Sequence, residues 1–226
     1  MVTRENLQAQ LDEITSNTRL LVQPERLEIS ERSVQELMNS GAEQRILQVD
    51  EKAPGFELTD STGATVRSSD LLTLGPLIIN FFRGRWCPYC VTELEAWRDV
   101  YPAVRKMGAM MIAISPQTVR HNDFTAQQHA IPFPLLSDPG CEVASRFGLS
   151  YELPEFQRRY FRSILVNIPF VNGDETWRLP LPATYVVSKN GSVLYAAAHT
   201  DFRVRPDPAE VLAALRPQPN PHAGEI

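Results

Sequence analysis

The sequence predicts an α/β fold with a mixed central sheet flanked by helices, preceded by a helical extension. Three observations carry that prediction. An apolar run, Leu77-Ile78-Ile79-Asn80-Phe81-Phe82, ends in a short basic loop. That loop leads into a helical pattern, with Val91, Leu94, Trp97 and Tyr101 at spacings of three and four. A second buried strand, Met110-Met111-Ile112-Ala113-Ile114-Ser115, follows Gly108, so strand, helix and strand imply a right-handed parallel crossover. Asn190-Gly191 then makes a tight turn between Tyr185-Val186-Val187 and Val193-Leu194-Tyr195, which adds an antiparallel hairpin to the parallel pair.

The elements follow in order. Leu7, Leu11, Ile14, Thr18 and Leu21 fall at steps of four and three, which predicts an amphipathic helix over residues 3 to 23 with Thr3 as cap. A second short helix follows Ser30, with Val34, Leu37 and Met38 inward and Gly41 as its stop. Residues 53 to 66 read as a small hairpin around Ser61-Thr62-Gly63. Ser68-Ser69-Asp70 caps a short helix through Leu72, and Gly75-Pro76 breaks the pattern before the central strand. Pro116 opens a polar helix to about Ala130, and Phe133-Pro134-Leu135-Leu136 is short and extended. Asp138-Pro139-Gly140 turns into a helix holding Cys141, read as a small apolar residue or as a third, resolving thiol. Residues 150 to 180 are aromatic-rich and less regular, with a helix from Glu155 to Leu165 and a turn at Asn172-Gly173-Asp174; so long an insertion either covers a site or an interface or is a core-extending lid with no role in specificity. Pro208 to Leu215 is the last helix, and Pro217, Pro219 and Pro221 mark a tail read as disordered. The organisation expected is an extension (1–48), a main domain (49–216) and the tail (217–226).

Composition narrows the function. The chain has 226 residues, is 43% hydrophobic and carries a net charge of −5, which argues against nucleic acid or an anionic membrane as the main partner. Met1-Val2-Thr3-Arg4-Glu5-Asn6 has no apolar signal core, and no run approaches the ~20 apolar residues of a membrane helix. The expectation is therefore a cytoplasmic protein. Its three cysteines are too few for a disulfide scaffold.

The chemistry sits in Phe81-Phe82-Arg83-Gly84-Arg85-Trp86-Cys87-Pro88-Tyr89-Cys90. A Cys-x-x-Cys at a helix start meets unpaired N–H groups and the positive end of the macrodipole, and both favour thiolate over thiol. Arg83 and Arg85 push the same way if their side chains turn inward. Cys87 and Cys90 share a helix face and can pass electrons as a dithiol. Pro88 falls at the first helical position, where its missing N–H costs nothing. Trp86 and Tyr89 shape the pocket. Zinc needs four ligands; there is no second cysteine pair, and His121, His129, His199 and His222 lack ligand spacing, so neither metal nor cofactor is expected. A structural pair of buried thiols is the other alternative.

These residues resemble the peroxiredoxin-like alkyl hydroperoxide reductase/thiol-specific antioxidant (AhpC/TSA) family of the thioredoxin superfamily. Ala53-Pro54-Gly55-Phe56-Glu57-Leu58 is similar to that family's opening strand, residues 81–90 to its active loop, and Leu135-Leu136-Ser137-Asp138 and Pro182-Ala183-Thr184-Tyr185 to later landmarks. The resemblance covers residues 50 to 216 and implies a thioredoxin-like fold with Pro182 as a cis proline beside the cysteines. It departs from the family at three places. Matched to the peroxidatic position, Cys90 is preceded by Cys87 where the family has Thr and by Arg83 where it has Pro, and Pro182 stands where an Arg is expected. Cys87-Pro88-Tyr89-Cys90 is also the glutaredoxin tetrapeptide, which makes Cys87 the nucleophile and Cys90 the resolving thiol. The function implied is a thiol-dependent oxidoreductase reducing small hydroperoxides or disulfides, restored by a thioredoxin- or glutathione-like reductant, with a homodimer expected by family analogy. The alternatives are disulfide exchange without peroxidase activity, or a redox-sensing or binding module.

Overall fold

The computed structural model describes residues 6–215. The predicted tail and the Thr3 cap lie outside them.

The central sheet grows from the predicted strand–helix–strand unit. Strand β3 (Leu77–Phe81) pairs in parallel with β4 (Met110–Ser115), with helix α4 (Pro88–Lys106) between them in sequence. Every residue of β3 is buried, so both faces are covered. Side chains alternate: Ile78 joins a core with Leu94, Trp97 and Val104 of α4, whereas Leu77, Ile79 and Phe81 join a second core with Phe147 and Tyr185. Parallel to β4 lies β5 (Leu135–Ser137), and antiparallel to it β1 (Glu57–Asp60), which turns back into β2 (Thr65–Arg67). On the other side of β3 run β8 (Ala183–Val187), antiparallel to β3, and then β9 (Val193–Ala198), antiparallel to β8. Among the described residues the order is β2-β1-β5-β4-β3-β8-β9, a mixed sheet. Helices α3 (Ser68–Leu74), α5 (Val119–Gln128) and α6 (Glu142–Arg146) fill the connections, and α9 (Pro208–Ala213) ends the described chain.

The extension holds two helices, α1 (Leu7–Leu21) and α2 (Pro24–Asn39). The first starts at Leu7 rather than residue 3, because the Asn6 side chain accepts the Gln8 N–H at 2.8 Å and caps it there. Leu7 and Leu11 bury against α4, while Leu21 is exposed. The second begins at Pro24 rather than after Ser30, since proline at the first position is already set for the helix. Val34 is buried as expected and Met38 is not.

Residues 150 to 180 are more regular than the sequence suggests. Strands β6 (Ser150–Glu152) and β7 (Arg178–Pro180) pair antiparallel and close a loop carrying α7 (Glu155–Ser163) and α8 (Ile168–Asn172). Leu153, Phe161, Ile168, Trp177 and Leu179 give this segment its own small core. Strands of three residues are too short to leave a periodic signal.

Candidate active site

Chain geometry delivers Cys87 to the end of the sheet. Phe81 ends β3, and Gly84 then takes φ 146°, a conformation L side chains rarely adopt; a Cβ there would stand 2.6 Å from Trp86 Nε1. Gly84 O accepts the Cys87 N–H at 3.1 Å, tightening the loop. Cys87 is the N-cap of α4 and Pro88 its first residue, as predicted. The Cys87 carbonyl accepts the first helical hydrogen bond, from Val91 N–H at 3.1 Å.

Both sulfurs are fully buried, and they are hydrogen-bonded to each other. Two arginines serve them. Arg83 Nη2 donates to Cys87 Sγ at 3.1 Å, and its guanidinium lies 4.0 Å from the Phe202 ring centroid. Arg205 Nη2 donates to Cys90 Sγ at 3.6 Å, while its Nε donates to Glu93 Oε2 at 2.7 Å. Arg205 is held by further bonds to the Phe202 carbonyl and, at 2.9 Å, to the Val204 carbonyl. Glu93 Oε1 in turn accepts from Asn80 Nδ2 at 2.8 Å. Tyr151 of β6 is hydrogen-bonded to Arg83.

These contacts divide the labour between the sulfurs. Burial alone would push the Cys87 thiol up, but the hydrogen bond from Cys90 and the Arg83 and Arg205 charges pull it well below the ordinary cysteine range. For Cys90, burial and the neighbouring Cys87 thiolate act together and push it well above that range. The pair therefore shares one proton, carried by Cys90. Burial pushes Glu93 up to about 7, despite the opposing pull of Arg205.

Above Cys87 lies a cavity of about 200 Å³, walled by α1, α2, α7 and the loop at Phe202. Arg83, Trp86, Cys87, Pro88 and Tyr89 border it; Cys90 does not. Trp86 packs edge-on against Phe161, and the Tyr89 hydroxyl meets Thr15 Oγ1 of α1 at 3.1 Å.

Two expectations fail. Arg85 is exposed and stacks over Phe124, 4.8 Å from the ring centroid, so it does not turn toward the cysteines. Its backbone N–H is instead tied to Gln117 Oε1 at 2.9 Å, which leaves the side chain on the outer face of the loop. Among the described residues no peptide bond is cis, Pro182 included. Leu181 and Pro182 link β7 to β8. Pro182 is buried one residue before Ala183, which pairs with Phe81, but it does not border the cavity. Arg205, Glu93 and Tyr151 escaped sequence reasoning. Glu93 lies three residues past Cys90 on α4 and was within reach of it; the others come from distant segments with no local signal.

Residues 49–196 match the family model described as the AhpC/TSA family. The chain belongs to the AhpC/TSA family. This AhpC/TSA chain is 31% identical over 144 residues to peroxiredoxin Q, chloroplastic, of Oryza sativa subsp. japonica, covering 63% of this chain and 55% of that one. It is 23% identical over 155 residues to the thiol-disulfide oxidoreductase ResA of Bacillus thuringiensis (strain Al Hakam), covering 68% and 71%. Among solved structures, the crystal structure of peroxidoxin BcpB from Mycobacterium tuberculosis superposes with a TM-score of 0.59 at 25% identity, over 75% of this chain and 96% of that one. The AhpC/TSA chain thus spans about half the length of the curated peroxiredoxin Q it matches. Its fold is thioredoxin-like, as the resemblance implied. Among the described residues no His, Cys, Asp and Glu cluster is placed to hold a metal, and no helix is long and apolar enough to cross a membrane.

Proposed function

We propose that the protein is a thiol-dependent peroxidase running on a Cys87/Cys90 dithiol–disulfide cycle. The observation that carries the reading is the Arg83 guanidinium, 3.1 Å from a Cys87 sulfur seated at the start of α4. The Cys87 thiolate attacks one peroxide oxygen. The S–O bond forms, the O–O bond breaks, and the leaving alkoxide or hydroxide takes a proton from water. Cys90 then attacks the sulfenic sulfur, water leaves, and a Cys87–Cys90 disulfide remains. Arg205, 3.6 Å from Cys90, stabilises the thiolate that this second step requires. Cys87 borders the cavity and Cys90 does not, which supports Cys87 as the first to react. A thioredoxin- or glutathione-like thiol restores the dithiol, in the reducing cytoplasm. The homodimer expected by family analogy is checked by light scattering.

Disulfide exchange is the second reading, favoured by Cys87-Pro88-Tyr89-Cys90 and by the similarity to ResA. Burial of both sulfurs beneath the helices restricts it to small disulfides. The deciding experiment treats wild type, Cys87→Ser and Cys90→Ser with stoichiometric hydrogen peroxide and maps the products by mass. Expected are an internal disulfide in wild type, sulfenic acid on Cys87 in Cys90→Ser, and unreacted Cys90 in Cys87→Ser. Sulfenic acid on Cys90 when Cys87 is absent overturns the assignment. Oxidation that stops after one round with a thiol reductant present points to a sensor.

A further inference from the structure

We propose that the helical extension takes part in the chemistry: α1 and α2 clamp the segment between β9 and α9 across the two sulfurs, and Gln8 and Glu31 are positioning residues that hold Arg205 against Cys90 for disulfide formation. The inference rests on the Cys87/Cys90 cycle proposed above and assigns the part of the chain that sets its second step.

Residues 199 to 207 cross both cysteines. The Phe202 ring centroid lies 4.0 Å from the Arg83 guanidinium, and the ring packs edge-on against Tyr89. Three residues on, Arg205 places Nη2 3.6 Å from Cys90 Sγ. The Arg205 side chain is 1% exposed, so solvent screens that contact little. The segment is neither helix nor strand, and what fixes it is what it touches.

It touches the extension at several points. Gln8 Oε1 accepts the Arg205 N–H at 3.2 Å, and Gln8 Nε2 donates to the Arg203 carbonyl at 3.4 Å. The Leu7 N–H donates to Asp207 Oδ2 at 3.2 Å. Glu31 of α2 accepts two bonds from the Arg203 guanidinium, at 2.6 and 3.1 Å. Just past α2, Glu43 Oε1 accepts from Thr200 Oγ1 at 2.9 Å. Both sides of every contact lie outside residues 49–196, the stretch that the family model matches. The clamp, and the arginine it delivers, are therefore features of this chain beyond the family domain.

The arginine acts once Cys87 is oxidised. Before that, burial and the charge on Cys87 keep the shared proton on Cys90. A Cys87 sulfenic acid is neutral and no longer opposes a charge on Cys90. The Arg205 charge then favours ionisation of Cys90, whose proton passes to water. The Cys90 thiolate attacks the Cys87 sulfur; the S–S bond forms, the S–O bond breaks, and the hydroxide released takes up a proton. Arg205 serves this step only from where it sits, and a misplacement of about 1 Å can cost on the order of a hundredfold in rate.

The test removes the clamp and leaves the site. Gln8→Met keeps the side-chain length and loses both bonds to the segment; Glu31→Ala loses the pair with Arg203, at a position 53% exposed. Reduced wild type and double variant are mixed with stoichiometric hydrogen peroxide, quenched in acid over time, and resolved by mass into thiol, sulfenic and disulfide forms. Sulfenic acid should form on Cys87 at the wild-type rate, because Arg83 bonds Cys87 and Tyr151 without help from the clamp. Disulfide closure should slow roughly ten- to a hundredfold, and its pH midpoint should move up. Urea unfolding establishes that the variant is folded; should it not be, Gln8→Met alone decides by the same comparison. Closure at the wild-type rate and pH midpoint in the folded variant overturns the clamp and leaves the dithiol cycle standing. Equal slowing of both steps also overturns it, since that marks a general loosening of the site. Absence of a Cys87–Cys90 disulfide in oxidised wild type overturns the cycle and the clamp together.

Discussion

Replacing Arg83 with Met removes the charge that faces Cys87 while keeping a long apolar side chain against Phe202, where the guanidinium now sits at 4.0 Å. The lost contact is a buried charge-assisted hydrogen bond of 3.1 Å. Bonds of that kind contribute about 1.5–3 kcal/mol, and one pKa unit corresponds to about 1.36 kcal/mol. Arg83→Met should therefore raise the lower thiol pKa by roughly one to two units, with the Cys90 hydrogen bond, Arg205 and the helix terminus still depressing it. The assay is ultraviolet thiolate absorbance against pH, with the pH–rate profile of peroxide oxidation as a second readout. Arg85→Met is the control and should shift neither, since that side chain stacks on Phe124. The sign extends to stability. A thiol depressed in the folded state contributes fully above its unfolded pKa of about 8.5 and loses that contribution as pH falls through the folded value. Arg83→Met should shrink this pH dependence. A folded Arg83→Met protein titrating where wild type does would refute the electrostatic account of Cys87.

Glu93 gives the opposite slope. Its folded pKa is raised to about 7, so it contributes stability below its ordinary 4.5 and loses roughly 3 kcal/mol as pH rises between the two; urea unfolding across that window should show the decline, and Glu93→Gln should flatten it. Leu11→Ala, at a fully buried position where α1 meets α4, should cost about 2–5 kcal/mol in the same assay; an unchanged midpoint would mean that α1 unfolds separately. Cys141 is buried and its thiol is pushed up by that burial, so it should resist iodoacetamide in the native protein, and Cys141→Ala should leave peroxide turnover unchanged.

Local patterns proved readable wherever one residue's neighbours in sequence are also its neighbours in space. The run from Leu77 carries β3 because every one of its residues is buried, and the four-and-three spacing from Val91 carries α4. Asn190-Gly191 sets the β8–β9 turn. Helix ends were less legible: α1 begins at Leu7 because the Asn6 side chain accepts the Gln8 N–H and caps it there. The short β6–β7 pair was invisible, since its partners lie about 28 residues apart and neither is long enough to alternate.

The sequence by itself determined the strand–loop–helix unit, the two cysteines at the tip of α4, the proline that starts that helix and the mixed character of the sheet. All of these follow from periodicity and backbone preference, which act over a few residues. Tertiary structure alone decided which arginines serve the sulfurs. Arg83 and Arg85 are indistinguishable in sequence, yet one is drawn inward by Cys87, Tyr151 and Phe202 and the other is left on Phe124. Arg205 reaches Cys90 across 115 positions because Glu93, buried on the same helix, holds its guanidinium there. A buried charge goes where its partners are, and those partners are brought together only once the chain has folded.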